Sequence, residues 1–183
     1  MPGIIIAIII IVLILAFIFG TYNSLVQLRN KVKEAFSTMD VYLKKRWDLI
    51  TNLVETVKGY ASHEAKTLEE VTNLRNKSYS DLDQSEKVDV NNKLTSCINK
   101  LLAVAENYPD LKANTNFLDL SNQLTGIEND IANSRKYYNA TVRNLNDKVQ
   151  MFPSNIVAGM FGFKEEKMFE ANEQERENVK VQF

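Results

Sequence analysis

The stretch that decides the fold is IIIAIIIIVLILAFIF, residues 4–19, which contains no polar or charged side chain. At a rise of about 1.5 Å per residue, a helix of this length covers about 24 Å, and the flanking residues bring it close to the roughly 30 Å hydrocarbon core of a bilayer. We therefore predict a transmembrane anchor over residues 1–20. Its lipid-facing side chains are Ile4, Ile5, Ile6, Ile8, Ile9, Ile10, Ile11, Val12, Leu13, Ile14, Leu15, Phe17, Ile18 and Phe19.

A cleaved signal peptide and a buried helix of a soluble protein are the alternatives to this anchor. A signal peptide needs a basic start and small residues at a cleavage site. The first three residues carry no charged side chain, and FIFGTY, residues 17–22, lacks an A-x-A pattern. Tyr22 stands where an aromatic residue flanks a membrane span. The pattern favours the anchor.

The cations that follow the span predict its orientation. None precedes it apart from the terminal amine, whereas Arg29, Lys31 and Lys33 follow within about 15 residues. Because cytoplasmic flanks carry the excess of Lys and Arg, we predict a single-pass protein of the cell membrane. Its N-terminus lies outside and its C-terminal domain is cytoplasmic.

Apolar residues continue after the anchor at the α-helical period. They recur about every 3.6 residues from Leu25 to Ala61, and no proline interrupts residues 20–59. We predict an all-α fold in which the single N-terminal transmembrane helix continues into an elongated antiparallel helical bundle, residues 21–151. Ser85 is the expected N-cap of its third helix. The predicted bundle helices cover residues 21–61, 63–79, 86–107 and 114–151.

A second apolar element follows the bundle in residues 152–183, which begin as FPSNIVAGMFGF and end as a charged C-terminal tail. If the fourth helix descends antiparallel to the first, the apolar segment arrives near the membrane. It then packs at the lipid interface or against the base of the first helix, the alternative being an ordinary loop over the core. Its candidate interface residues are Ile156, Val157, Met160, Phe161 and Phe163.

A run of three cations, Lys44, Lys45 and Arg46, occupies the first bundle helix. Cations on a helix are commonly solvated or paired with acids of neighbouring helices, and the alternative is a surface for a partner. Of Tyr137 and Tyr138, one is expected in the core and the other in water. We also expect polar layers that fix helix register from Asn52, Glu55, Asn139 and Asn146.

Composition and motifs argue against several classes of function. The formal net charge is −1, with acids and bases interspersed, so nucleic acid is not favoured as a partner. His63 is the only histidine and Cys97 the only cysteine, which excludes a two-histidine metal site within one chain. No glycine-rich phosphate-binding motif occurs. We therefore predict no enzyme, no cofactor and no metal site.

Five segments together resemble the LemA family of bacterial membrane-associated proteins over nearly the whole chain. Thr51 stands where the family pattern carries proline, and Phe36 where it carries tryptophan. The resemblance implies a single span, an outside N-terminus and a cytoplasmic helical bundle, and it supplies no catalytic activity. The segments are YNSLVQLRNKVKEAF (22–36), DLITNLVETVKGYASHE (48–64), LLAVAENYPDLKANTNFLDL (101–120), IENDIANSRKYYNATV (127–142) and FPSNIVAGMFGF (152–163).

Two functions are compatible with these features. The first is a non-enzymatic membrane-anchored scaffold or interaction protein that self-assembles at the membrane. The second is a signalling or stress-response adaptor that binds a cytosolic protein through the distal tip of the bundle, near residues 60–62 and 108–116. The expected partners are the lipid bilayer, further copies of the chain and an unidentified cytosolic protein.

Overall fold

The computed structural model describes residues 2–61, 64–74 and 79–169, which contain helices and turns but no strand. A short 3₁₀ turn, Tyr79–Asp81, precedes the third helix. The all-α prediction is confirmed, and the apolar span does continue without a break into the first bundle helix. The helices are α1 (Pro2–Tyr60), α2 (Ala65–Leu74), α3 (Gln84–Glu106), α4 (Pro109–Lys112), α5 (Thr115–Gln150) and α6 (Ser154–Met160).

The helix boundaries differ from the predicted ones where short-range polar signals decide them. Helix α3 begins at Gln84 because Asp83 is its N-cap: Asp83 Oδ1 accepts a hydrogen bond from the Glu86 amide at 2.8 Å, and Glu86 Oε2 accepts one from the Asp83 amide at 3.0 Å. This capping box makes the prediction of Ser85 wrong. The short helices α4 and α6 were not predicted. Residues 75–78 of the predicted second helix, His63 and the tail beyond residue 169 lie outside the described residues.

The described residues form two compact units. One consists of residues 2–38 and 134–169, and we call it the anchor unit. The other consists of the described residues between 39 and 133, and we call it the second unit. Helices α1 and α5 each contribute residues to both.

In the anchor unit, α1 and α5 run antiparallel. The rings of Phe36 and Tyr138 are 6.0 Å apart. Earlier in α1, Tyr22 lies 4.7 Å from Phe161, which comes after the end of α5. Residues later in α1 therefore contact residues earlier in the α5 part of the chain, as in an antiparallel pair. The buried side chains of this unit include Leu25, Val32, Ala35, Tyr138, Val142, Leu145, Val157, Ala158 and Phe169.

In the second unit, cross-helix contacts set the helix directions. Glu70 on α2 pairs with Lys100 on α3 at 2.6 Å, and Glu64, just before α2, accepts a hydrogen bond from Tyr108, just after α3. Helices α2 and α3 are therefore antiparallel, as their short connection favours. The buried side chains of this unit include Met39, Leu43, Trp47, Ile50, Val54, Leu68, Val71, Leu94, Ile98, Leu101, Phe117, Leu124 and Ile131.

A buried arginine joins three helices of the second unit. The Arg46 side chain on α1 is fully buried, and its Nη1 donates to Asn91 Oδ1 on α3 at 2.6 Å. Its Nη2 donates to Thr95 Oγ1 at 2.9 Å and lies 2.8 Å from Glu128 Oε1 on α5. A guanidinium presents several donors in a fixed plane. It therefore fixes the register of α3 and α5 against α1 more sharply than apolar packing alone.

A second polar cluster lies at the start of α3. Asp40 on α1 accepts hydrogen bonds from Tyr79 Oη at 2.5 Å and from Lys87 Nζ at 2.8 Å. Burial, and then the Asp40 carboxylate, raise the pKa of Tyr79 well above its usual range. The Tyr79 ring also packs 5.5 Å from that of Trp47. The cluster attaches the turn before α3 to α1.

Replacing Arg46 by alanine should destabilise the second unit. Breaking a buried ion pair costs about 3–5 kcal/mol, and because Glu128 is 39 % exposed we expect the low end of that range, about 3 kcal/mol. The matched control is Lys45→Ala, an exposed neighbour, which should change the unfolding free energy by less than about 0.5 kcal/mol. Urea unfolding of the full chain in detergent micelles, followed by circular dichroism, measures both. Equal effects of the two variants would contradict the assigned role of Arg46.

Candidate functional site

The apolar span is exposed along its length. From Ile4 to Phe19 the large apolar side chains are exposed by between 44 % and 68 %, except Ile18, which is half-buried. Helix α1 is long and apolar enough to cross a membrane. Leaving one such side chain in water rather than in apolar surroundings costs about 1.5–3 kcal/mol. A run of this length therefore favours lipid as its surroundings.

An aromatic cluster lies where the span ends. The ring of Tyr22 on α1 packs 4.7 Å from that of Phe161 and 5.9 Å from that of Phe163. The guanidinium carbon of Arg29, two turns further along α1, lies 5.2 Å from the centroid of the Phe163 ring. These contacts attach the segment after α5 to the first helix immediately beyond the apolar run.

A glycine at the end of α6 makes this attachment possible. Gly162 has φ of 70°, in the left-handed region that favours glycine. Its amide donates to the carbonyl of Gly159 at 3.3 Å, and the Phe163 amide donates to that of Ala158 at 2.9 Å. This is the Schellman pattern of a helix C-terminus. It reverses the chain so that Phe163 returns to Tyr22.

Helix α6 has two apolar faces with different surroundings. Ser154, Val157 and Ala158 are buried against the rest of the anchor unit. Ile156 and Met160 are exposed by 56 % and 65 %. Of the predicted interface residues, Val157 and the half-buried Phe163 thus pack within the chain, whereas three remain accessible, namely Ile156, Met160 and Phe161.

A cleft of about 320 Å³ opens beside the start of α6. Both the apolar span and the end of α5 contribute to its lining. The lining residues are Phe17, Asn144, Asp147, Lys148, Met151, Phe152, Pro153 and Ser154.

Two asparagines of α5 hold the segment after α6 by its backbone. Asn146 Nδ2 donates to the carbonyl of Glu166 at 2.9 Å, and Asn146 Oδ1 accepts from the Glu166 amide at 2.9 Å. Asn139 makes the same pair with Phe169, at 2.9 Å and 2.8 Å. A side-chain amide carries a donor and an acceptor, so each asparagine pairs with the segment as a peptide group of a neighbouring strand would. We call this pair the asparagine clamp.

The spacing of the asparagine clamp dictates the form of the segment. Asn139 and Asn146 are seven residues apart, which is about 10.5 Å along a helix. Their partners Glu166 and Phe169 are three residues apart, which is about 10 Å of extended chain. The segment therefore runs extended and opposite in direction to α5. Tyr138 Oη adds a bond to the carbonyl of Lys167 at 3.1 Å.

Phe169 closes this segment. Its side chain is buried, its ring stands edge-on to that of Tyr138 at 6.2 Å, and the guanidinium carbon of Arg135 lies 5.0 Å from its centroid. The end of the described chain is thus fixed by packing as well as by the asparagine clamp. As expected for the tyrosine pair, Tyr138 is in the core while Tyr137 is exposed.

The expected polar layers are not formed. Asn52 and Glu55 are exposed on α1, and the two asparagines of α5 bind backbone instead of a facing helix. The layers were predicted because asparagine on a bundle helix commonly pairs across helices. The heptad spacing of Asn139 and Asn146 was the available signal for the clamp, but its partner lies 20 to 30 residues further along the chain.

The cationic run separates into different environments. Lys44 is exposed and pairs with Asp48 on the same helix, and Lys45 is exposed. Arg46 is buried and pairs with Glu128, so it is not available as a partner surface. An ion pair between exposed residues four apart on a helix contributes little to stability, so Lys44 and Lys45 occupy ordinary solvated positions.

The remaining candidates for chemistry have structural surroundings. Cys97 is buried on α3, and burial, partly offset by Lys100, raises the pKa of its thiol, which disfavours the reactive thiolate. One end of the second unit contains Tyr60, Glu64, Tyr108 and Asn114, and we call it the loop end. There Asn114 Nδ2 donates a hydrogen bond to Tyr60 Oη at 2.8 Å. Tyr108 Oη donates one to Glu64 Oε1 at 3.3 Å. No group of three or more metal-ligating side chains comes together in the part of the chain that the structure describes.

A family model and three curated proteins are similar in sequence to this chain. The LemA family model matches residues 35–183. The chain is 29 % identical over 161 residues to protein LemA of Metamycoplasma hominis, which covers 87 % of this chain and 74 % of that protein. It is 23 % identical over 192 residues to the magnetosome proteins MamQ 1 and MamQ 2 of Paramagnetospirillum magneticum, over 91 % of this chain and 71 % of each of those. The family match begins within α1, beyond the apolar span.

Removing the asparagine clamp should release the segment after α6. Asn139→Ala and Asn146→Ala each remove two hydrogen bonds, and at about 1 kcal/mol each either variant should favour the released form roughly 30-fold. Limited trypsin digestion at Lys164 and Lys167 measures the release. Asn144→Ala, an exposed asparagine of the same helix, is the matched control. Unchanged cleavage in both clamp variants would show that the segment is held by other contacts.

Proposed function

The chain belongs to the LemA family, and from that membership we propose that it is a non-enzymatic, membrane-anchored scaffold or interaction protein. The observation that carries the proposal is α1 itself. Its first part is an apolar span with exposed side chains, and its later part supplies buried residues such as Leu43, Ile50 and Val54 to a helical bundle. A helix of this kind attaches an ordered protein surface to a bilayer.

The roles of the polar side chains support a scaffold rather than an enzyme. Arg46 joins α1, α3 and α5, and the asparagine clamp holds backbone. Asp40 binds Tyr79 and Lys87. Each of these groups determines where one helix or segment lies against another. Such polar contacts favour one arrangement of helices over alternatives, which is what a binding scaffold requires.

We propose further that the protein self-assembles in the plane of the membrane through the flank of the span. Ala16 and Gly20 lie one turn apart on α1, both are exposed, and nothing lies within 4 Å of a Cβ built at Gly20. Small residues four apart let two helix backbones approach closely in lipid. Attachment to a bilayer also concentrates the copies in two dimensions.

The mass of the protein in its membrane tests self-assembly. Chemical cross-linking in native membranes, with mass measurement in lipid nanodiscs, should give dimers or larger species. The double variant Ala16→Leu and Gly20→Leu should shift the distribution to monomer, because the added side chains separate the helices. Ile11→Phe, which adds volume on the opposite side of the span, should leave it unchanged. Monomer alone in the unaltered protein would refute the homo-oligomer.

The orientation is also a proposal, and it rests on Arg29, Lys31 and Lys33 beyond the span. Lys and Arg near a span are retained in the cytoplasm. Alkaline phosphatase fused to the C-terminus should therefore be inactive, and a cytoplasmic reporter fused there should be active. Replacing the three cations by glutamine should raise phosphatase activity. A fully active phosphatase on the unaltered chain would reverse the assigned topology.

A second candidate function is a signalling or stress-response adaptor that binds a cytosolic protein through the loop end. The hydrogen bonds of Tyr60 with Asn114 and of Tyr108 with Glu64 hold this end in place, while Asp110 and Lys112 between them are exposed. The variants Asp110→Ala and Lys112→Ala discriminate the two functions. An adaptor loses its partner in a pull-down and keeps its assembly state, whereas a scaffold that acts through the span keeps both.

A further inference from the structure

Helix α6 and the turn before it expose several large apolar side chains. Phe152, Ile156 and Met160 follow one another four residues apart and are exposed by 79 %, 56 % and 65 %. Met151 and Phe161 are also exposed, by 60 % and 51 %. Residues 149–163 contain no charged side chain. Clustered exposed apolar side chains mark sites of contact with protein or membrane, so this set of side chains is a candidate contact site. We call it the basal patch.

The contacts of the basal patch fix its level relative to the span. Phe161 packs on Tyr22, and Met151 and Phe152 line the same cleft as Phe17. A helix needs about 20 residues to cross the hydrocarbon core, so a span that begins near Gly3 ends near Tyr22. The basal patch therefore lies at the boundary between hydrocarbon and headgroups.

The charges around the basal patch suit this boundary. Lys148 and Lys164 flank the uncharged stretch, and lysine stems lie along apolar surfaces while their ammonium groups reach the headgroups. Asp147 and Glu165 stand next to them in the chain, so the local charge is nearly balanced. Contact with lipid at this site therefore depends on apolar insertion more than on attraction to anionic headgroups.

We propose that the basal patch inserts into the bilayer interface of the leaflet that contains Tyr22, and gives the chain a second membrane contact besides its span. The proposal rests on the proposed function, since it requires that α1 spans the membrane. Lipid is favoured over a second copy as the occupant because the bilayer surrounds the span at this level in every copy. A second copy would reach the basal patch only in an assembly.

Two membrane contacts have a mechanical consequence that one span lacks. A single helix can rotate about its axis and tilt in the bilayer. With Ile156 and Met160 in the interface on one side of α1, a tilt of α1 toward the opposite side would lift these side chains out of the lipid. The basal patch therefore restricts the direction in which α1 can tilt.

Spin labels on the full chain test this insertion. In a Cys97→Ala background, nitroxides are attached at Ile156→Cys and at Met160→Cys, and the protein is placed in phosphatidylcholine vesicles. Collision with oxygen, which partitions into lipid, is compared with collision with a water-soluble nickel complex. Phe19→Cys serves as the reference in the span. Tyr137→Cys, exposed on α5 about 20 Å from its end, serves as the reference in water.

For the two labels on α6, the ratio of oxygen collisions to nickel collisions should be severalfold higher than for the label at 137. It should approach the ratio for the label at 19. A nickel-accessible label at both α6 positions would overturn the proposal. The proposal would also be overturned if the α6 labels showed dipolar broadening and neither oxygen nor nickel could collide with them. That result would mean that a second copy of the chain covers the patch. A nickel-accessible label at 19 would instead refute the span and the proposed function. A label at Phe152→Cys provides a third position, and thermal unfolding of every labelled chain verifies folding.

Discussion

Helix α1 carries, on one continuous backbone, an apolar run that is long enough to cross a membrane and the apolar stripe of a helical bundle. In a bilayer, every peptide group must be hydrogen-bonded within the chain, and a helix meets this requirement with no help from neighbours. The same hydrogen-bonding pattern then continues through Gly20 into the bundle. Only the distribution of side chains changes, from apolar on all sides to an apolar stripe that begins at Leu25. In the anchor unit α5 packs antiparallel to that stripe, and in the second unit Arg46 of α1 binds both α3 and α5. The positions of these elements therefore depend on α1.

Sequence reasoning succeeded where a signal is repeated over many residues. The apolar run covers residues 4–19 and the 3.6-residue period covers residues 25–61. Together they predicted the all-α fold and the continuity of α1. The sequence did not predict features that depend on one or two residues, or on a partner far away in the chain. Helix α6 has fewer than two full turns of regular pattern and is apolar on both faces, so no amphipathic period marks it. Gly162 was its clearest signal. Arg46 looked like one of three equivalent cations, because nothing in the local sequence shows that Asn91 and Glu128 face it.

The buried polar groups have a common physical role. Apolar stripes of Leu, Ile and Val pack almost equally well when one helix slides by a turn, since such packing is not directional. A guanidinium or a side-chain amide is satisfied only when its donors and acceptors meet partners at the correct distance and angle. Arg46 in the second unit and Asn139 in the anchor unit therefore penalise the shifted arrangements. We infer that the sequence uses apolar area for stability and these few polar groups for uniqueness.

The asparagine clamp constrains the length of the segment that it binds, but not the side chains of that segment. Because Asn139 and Asn146 bind peptide groups, they place no demand on the side chains of residues 164–168, all of which are exposed. Substitutions there can alter the surface charge next to the aromatic cluster while the segment stays in place. Insertion or deletion of one residue between Glu166 and Phe169 would prevent the two pairs from forming at the same time, since seven helical residues match three extended ones. This short stretch is therefore tolerant of sequence change and intolerant of length change.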